Sequence, residues 1–217
     1  VAARAWKGWG EVSSTRKASF FDHIAGSWDD WHDLPRLAAA LAAGLEELGV
    51  GRDETVLDVG CGTGNLTAAL LERLSPVGRV VAVDISPRMI AMARAKIVDR
   101  RVSWQVADAE ALPLLRGSCD RAICLAVWPH LDNWEEAAAE LARVLRPGGA
   151  LHIWHLAGRE EVNRIHRSAS GPISSDLLAP ARETAALLER FGFRVIAAVD
   201  DTQRYVVSAR AARARGG

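Results

Sequence analysis

The sequence predicts an α/β fold: a seven-stranded, mostly parallel sheet with one antiparallel strand near the C-terminus and helices on both faces. Three observations predict it. Apolar runs of strand length alternate with helical repeats, the last two such runs stand too close for a crossover helix, and a turn with three glycines follows the first strand. Alternation at this spacing implies parallel strands covered on both sides.

The elements follow in order. A polar lead occupies 1–33, within which Trp6 and Trp9 with Arg4 and Lys7 pattern as an amphipathic helix suited to capping a site, gripping a partner or touching a membrane surface. "LPRLAAALAAGLEEL" then sets Leu34, Leu37, Leu41, Leu45 and Leu48 three or four apart, a helical stripe that Gly44 weakens. "TVLDV" is a short buried strand, and "NLTAALLERL" returns to the helical period through Leu66, Leu70 and Leu74. "GRVVAVDIS" is the second strand, and Pro87 opens the helix "PRMIAMARAKI" at a favoured first-turn position. "RVSWQVAD" and "DRAICLAV" are the third and fourth strands, "NWEEAAAELARVL" is a helix, and "GALHIWHL" is the fifth strand after the Pro147-Gly148-Gly149 turn. "FRVIAAV" and "RYVVSA" flank Asp200 and Asp201 with too few residues between them for a crossover, so they are antiparallel neighbours. One domain over 34–209 is expected, with 210–217 as a frayed tail.

Bulk composition narrows the function. A chain of 217 residues, 49% hydrophobic and 25% charged, supports one sizeable core. Lys+Arg and Asp+Glu balance at 27 each, so no global field recruits nucleic acid and a small-molecule partner is favoured, with the chain a monomer or homodimer. Cys61, Cys119 and Cys124 form no Cys-x-x-Cys pair and read as buried reduced thiols. No apolar stretch reaches the length of a membrane span and no signal pattern is evident, so a cytoplasmic location is expected.

In an open α/β sheet the first strand-to-helix turn lies where ligands bind. Here it reads Gly60-Cys61-Gly62-Thr63-Gly64, so the third glycine misses the dinucleotide register Gly-x-Gly-x-x-Gly by one residue. Asp58 at the strand end would also confront a pyrophosphate with like charge. A ligand with a cationic end suits it better than a nicotinamide dinucleotide.

"LDVGCGTGNLT" followed by "VVAVDIS", "VADAEALP" and "ELARVLRPGGALHI" resembles the class I S-adenosylmethionine-dependent methyltransferases, from about Glu54 to His155. Upstream, "FFDHIAGSWDDW" is similar to the Phe-Asp-x-x-Ala segment of the ubiquinone and menaquinone methyltransferases, with Trp28 where those usually carry Tyr. The resemblance implies a Rossmann-like sheet and S-adenosyl-L-methionine as cofactor. Gly60, Gly62 and Gly64 would line its methionine portion, Asp58 would hold the amino group, Asp84 the ribose hydroxyls and Asp108 the adenine amino group. Cys61, Ile85, Ala109 and Ala126 would complete the cofactor-binding set, while Met89 would pack against adenine or fill the core.

The fourth strand ends in "AVWPHLDNW" without the Asn/Asp-Pro-Pro-Tyr segment that family members use for planar amino nitrogens, which favours a small-molecule acceptor. His130 and His155, at the ends of the fourth and fifth strands, are the candidate general bases, and His152 points to the opposite face from His155. The His152, His155 and His166 spacing matches no tight metal motif, so no metal is expected. The long 158–180 connection places Arg159, Asn163 and His166 as acceptor contacts in a lid. Of eight tryptophans, Trp28, Trp31, Trp128 and Trp154 border the expected site. Trp28 and Trp128 are candidate substrate contacts, and flat walls of this kind suit a planar or aromatic acceptor. A non-catalytic S-adenosylmethionine-binding module and an RNA-modifying methyltransferase are the alternatives.

Overall fold

The computed structural model describes residues 11–212, with side chains from 15 onward; the Trp6/Trp9 lead helix and tail residues 213–217 lie outside the described residues. Seven strands form one sheet in the order β3-β2-β1-β4-β5-β7-β6. They are β1 Thr55–Val59, β2 Arg79–Asp84, β3 Val102–Val106, β4 Cys119–Leu125, β5 Leu145–His155, β6 Phe193–Asp200 and β7 Tyr205–Ala211. β1 to β5 pair in parallel, and β7 runs antiparallel to both β5 and β6, as the short connection around Asp200 demands. The central strands β1 and β4 are buried along nearly their whole length because helices cover both faces.

Helices α2 Leu34–Glu47, α3 Asn65–Arg73 and α4 Pro87–Lys96 bury Leu41, Leu45, Leu70 and Ile90 with Val56, Ile123 and Trp154 in one core layer. Helices α5 Trp134–Val144, α6 Arg159–Ser168 and α7 Ala181–Arg190 bury Leu141, Val162 and Leu188 with Leu57, Leu151 and Tyr205 in the other. Side-chain caps start three of these helices: Asp33 accepts from the Arg36 amide, Ser86 from Met89, and Asn133 from Glu135 and Glu136. The glycine inside α2 has a packing cause. A Cβ on Gly44 would lie 2.2 Å from the Trp154 ring, so the indole of β5 occupies the space a side chain would need.

Three boundaries differ from expectation. β5 begins at Leu145, ahead of the Pro147-Gly148-Gly149 turn, and Cys119–Arg121 on β4 is matched by Leu145–Ala150, so the turn is a bulge inside the strand. The 158–180 connection contains α6 and a 3₁₀ turn, Pro172–Ser175. β7 continues through Ala211, whose side chain is buried, so the ordered sheet runs past residue 209.

Cys61, Cys119 and Cys124 are free and buried, and desolvation pushes all three thiols up from their ordinary values. No helix among the described residues is long and apolar enough to cross a membrane.

Candidate active site

Strand order reverses between β1 and β4, and a cavity opens there at the carboxyl ends of the strands. Its empty volume, counted to the open mouth, is about 820 Å³. That lies within the range of small-molecule sites, roughly 300–1,000 Å³. Gly60 and Gly62 line it from the β1–α3 turn, Val83, Asp84, Ile85 and Met89 from β2 and α4, and Ala107, Asp108, Ala109 and Glu110 from the segment after β3. Leu125 ends β4 and Ala126, Val127, His130, Leu131 and Asp132 follow it, and Lys17, Phe21 and Trp28 close the mouth from α1 (Glu11–Ile24) and the turns after it.

The three glycines do different things. Gly60, at φ +67°, sits so close to Val127 that a Cβ would meet its Cγ2 at 2.4 Å. Gly62, at φ +53°, would direct a Cβ to which the nearest atom is the Trp28 indole nitrogen at 3.8 Å, an ordinary contact, so it leaves backbone open to the cavity. Gly64 begins α3 at φ +86° against Ile97, Ala93 and Trp104, and does not line the cavity. Its role is close helix packing. Across the cavity Ala126 also has positive φ, +54°, a strained conformation for a residue with a Cβ.

The acids at the strand ends are held in distinct ways. Asp84 accepts from the Gly62 amide at 2.8 Å and the Ser86 amide at 2.9 Å, which fixes its carboxylate on the cavity wall. Burial pushes its pKa up to about 6. Asp108 accepts from the Glu110 amide, whose own carboxylate takes the amides of Asp132 and Asn133. Asp58 lies beneath the turn, outside the cavity lining; Thr67 donates to its Oδ2 at 2.6 Å, and Oδ1 has no partner among the described residues. Burial, with Asp84 adding, pushes its pKa up to about 7 against the Thr67 bond.

His130 faces the cavity with its Nδ1 2.9 Å from Asp176 Oδ2. Burial holds its pKa below the ordinary histidine value, the Asp176 bond opposing. Phe21 packs edge-on against both His130, at 5.3 Å between ring centroids, and Trp28, at 6.4 Å.

Several sequence expectations are corrected. His155 lies outside the cavity, buried edge-on against Tyr205, and desolvation lowers its pKa to about 3. Trp128 is fully buried in the core layer beneath α5 to α7, with its carbonyl accepting from the Trp134 indole. Arg159 pairs with Glu160 and Asp200 on the surface. Asn163 is buried and clamps the backbone of Leu178 through both its amide groups. His166 stacks behind His130 at 4.8 Å and bonds the Asp176 carbonyl. Thus α6 braces the wall behind His130 instead of covering the cavity. Cys61 is buried in the glycine turn, its amide bonded to the Val83 carbonyl. Trp31 is exposed and Trp154 is core, leaving Trp28 as the tryptophan on the cavity wall. His152 is satisfied by Arg121 and Ser208.

Sequence reasoning missed the residues that dock the lead. Asp22 accepts from the Ser86 hydroxyl and the Arg88 amide at the start of α4. Asp29 takes Thr63, Asn65 and Lys96 beside the glycine turn. Lys17 was invisible in the same way, because its partners are more than 100 residues away. The available signal was the Phe-Asp-x-x-Ala segment itself, which carries Phe21 and Asp22.

A methyltransferase-domain family model matches residues 57–153. The malonyl-[acyl-carrier protein] O-methyltransferase of Hahella chejuensis (strain KCTC 2396) is 32% identical over 81% of this chain and 68% of that protein. The ubiquinone/menaquinone biosynthesis C-methyltransferase UbiE of the same organism is 31% identical over 67% of this chain and 63% of its own length. In three dimensions the chain is similar to a structure of the Haloferax volcanii Trm112 methyltransferase activator complexed with a methyltransferase, with a TM-score of 0.75 at 22% identity, covering 89% of this chain and 98% of that one. The chain belongs to the class I S-adenosylmethionine-dependent methyltransferases. Its cofactor is therefore S-adenosylmethionine, and the residues present fit that molecule. Asp58 Oδ1, buried and without a partner among the described residues, would be an acceptor for a cationic amino group, and Gly62 leaves backbone open to the cavity. Asp84 and Asp108 present carboxylates at the next two strand ends.

Proposed function

We propose that the protein methylates a small, neutral acceptor with a planar or aromatic framework, using His130 as general base. In this reading Asp58 and the Gly60–Gly62 backbone hold the methionine end of the cofactor, and Gly64 supports that turn from behind. Asp84 accepts from the ribose hydroxyls, and Asp108 from the adenine amino group. Ile85, Met89, Ala109 and Ala126 supply apolar contacts around the nucleoside. The cofactor supplies a methyl carbon activated by its sulfonium, so the protein's task is alignment and exclusion of water. Alignment contributes ~7–11 kcal/mol to barrier lowering in favourable cases.

The acceptor's chemistry is argued from the walls. Phe21 and Trp28 offer flat apolar surface beside His130. Asp84, Asp108, Glu110 and Asp132 line the same cavity, and Lys17 is the one cation among its described lining residues. That cation is already engaged by Asp132 and Asp176. An anionic acceptor would meet uncompensated repulsion here, whereas a neutral hydroxyl or acidic C–H can surrender its proton to a neutral imidazole. The observation that carries this reading is His130 on the cavity wall, its ring held by a carboxylate.

A carrier-bound acyl carboxylate is the second reading, favoured by the similarity to the malonyl-[acyl-carrier protein] enzyme. Incubating the protein with methyl-labelled S-adenosylmethionine and a cell extract, then separating small molecules, protein and RNA, tests both. Label in the small-molecule fraction, with none for His130→Gln, is expected. Label confined to protein would favour the second reading, and label confined to RNA would remove both.

A further inference from the structure

Lys17, His130 and Asp176 come from three distant parts of the chain, and they meet at the wall of the cavity. Asp176 lies between the 3₁₀ turn Pro172–Ser175 and α7, with its Oδ2 2.9 Å from His130 Nδ1. Lys17 reaches from α1 to three groups at once: the His130 carbonyl at 2.8 Å, Asp132 Oδ1 at 2.7 Å and Asp176 Oδ1 at 3.3 Å. The side chains of Lys17 and Asp176 are each only 9% exposed. A buried lysine with two carboxylates and a carbonyl around it is costly to assemble unless every partner is present, so the arrangement is narrowly specified.

Resting on the proposed use of His130 as base, we propose that Asp176 and Lys17 are its positioning residues. Asp176 fixes the imidazole in the tautomer with hydrogen on Nδ1, and Lys17 ties that pair to α1, so that docking of the N-terminal cap completes the base. In this tautomer Nε2 carries the lone pair. When an acceptor O–H or C–H bond breaks, its proton forms the Nε2–H bond, and the resulting imidazolium is balanced by the Asp176 carboxylate. Asp176 stays ionised throughout: desolvation acts to raise its pKa, and the His130 bond and Lys17 outweigh it.

The charged and titratable groups facing His130 act with opposite signs. Asp176 raises its proton affinity, while Lys17 and the stacked His166 lower it. Behind His166, the His155 ring is neutral, and Asp132 is reached through Lys17. Loss of Asp176 and loss of Lys17 therefore move His130 in opposite directions.

The test is long-range proton–nitrogen NMR on the full chain labelled with ¹⁵N-histidine, titrated with pH. In the wild type, His130 is expected as the Nδ1–H tautomer. Asp176→Asn should lower its midpoint by about one pH unit, Lys17→Met should raise it, and Lys17→Arg should restore the wild-type value. S-adenosylhomocysteine calorimetry on each variant confirms that the fold is intact. An Nε2–H tautomer in the wild type overturns the proposal without any variant. Unchanged midpoints, or shifts of one sign in both variants, overturn it as well. Undiminished methyl transfer by His130→Gln would instead remove the base assignment, a separate outcome from the NMR result.

Discussion

Gly60→Ala isolates what the first glycine of the turn contributes. The backbone there has φ +67°, where an L-residue costs about 1–2 kcal/mol more than glycine. The added methyl would lie 2.4 Å from Val127 Cγ2 and 2.7 Å from its Cβ, both inside any real contact distance. Overpacking of this kind costs about 1–3 kcal/mol, so the combined expectation is about 2–5 kcal/mol of folding stability. Val127→Gly in the same chain removes the colliding atoms and leaves the backbone cost. The pair should thus show a favourable coupling of about 1–3 kcal/mol in a double-mutant cycle read by urea unfolding. The turn that moves also carries Gly62, so S-adenosylhomocysteine affinity measured by calorimetry should fall at least about tenfold in the single variant. A Gly60→Ala protein with the wild-type urea midpoint and affinity would refute the reasoning. So would a Val127→Gly partner that rescues nothing.

Three further outcomes follow from the same contacts. Gly44→Val drives a side chain into the Trp154 ring, at 2.2 Å for the Cβ alone, and should lower Tm by about 2–4 °C for each kcal/mol lost while leaving S-adenosylhomocysteine affinity intact. Asp84→Asn sets an amide NH₂ against the Gly62 or Ser86 N–H, a mismatch of about 1–3 kcal/mol, and calorimetry should show S-adenosylhomocysteine binding weakened about tenfold or more. Asp58 and Asp84, raised from 3.8 to about 7 and about 6 mainly by burial, retain protons in the folded state that the unfolded chain has lost. Stability should therefore fall as pH rises through that window and level off above it, and urea midpoints for Asp58→Asn should show a shallower slope.

The sheet was legible because parallel strands buried on both faces leave apolar runs, such as Val56–Leu57 and Ala122–Ile123. The cavity's position at the carboxyl ends of the strands was legible for the same reason: Asp84 and Asp108 stand at strand ends, where position along the chain fixes position in space. The acceptor side was not. Trp128 and Trp28 look alike in sequence, and the direction of a turn buries one and places the other on the wall. Arg159, Asn163 and His166 share one helix, but its rotation about its axis is set by Leu178 and Asp176, partners chosen by packing and not by local pattern. Lys17 needed knowledge of a contact across 113 residues, which neither periodicity nor a motif supplies.

Because all three thiols are sealed inside, the molecule carries its own opening reporter. A disulfide reagent in solution can react only when a segment transiently exposes sulfur, so its rate counts local unfolding events. Cys61 sits in the glycine turn, Cys119 at the beginning of β4 and Cys124 near its end, so the three sample opposite ends of the central sheet. A cofactor whose methionine end rests on that turn would slow the labelling of Cys61 ahead of Cys119, giving a footprint of occupancy that requires no knowledge of what receives the methyl group.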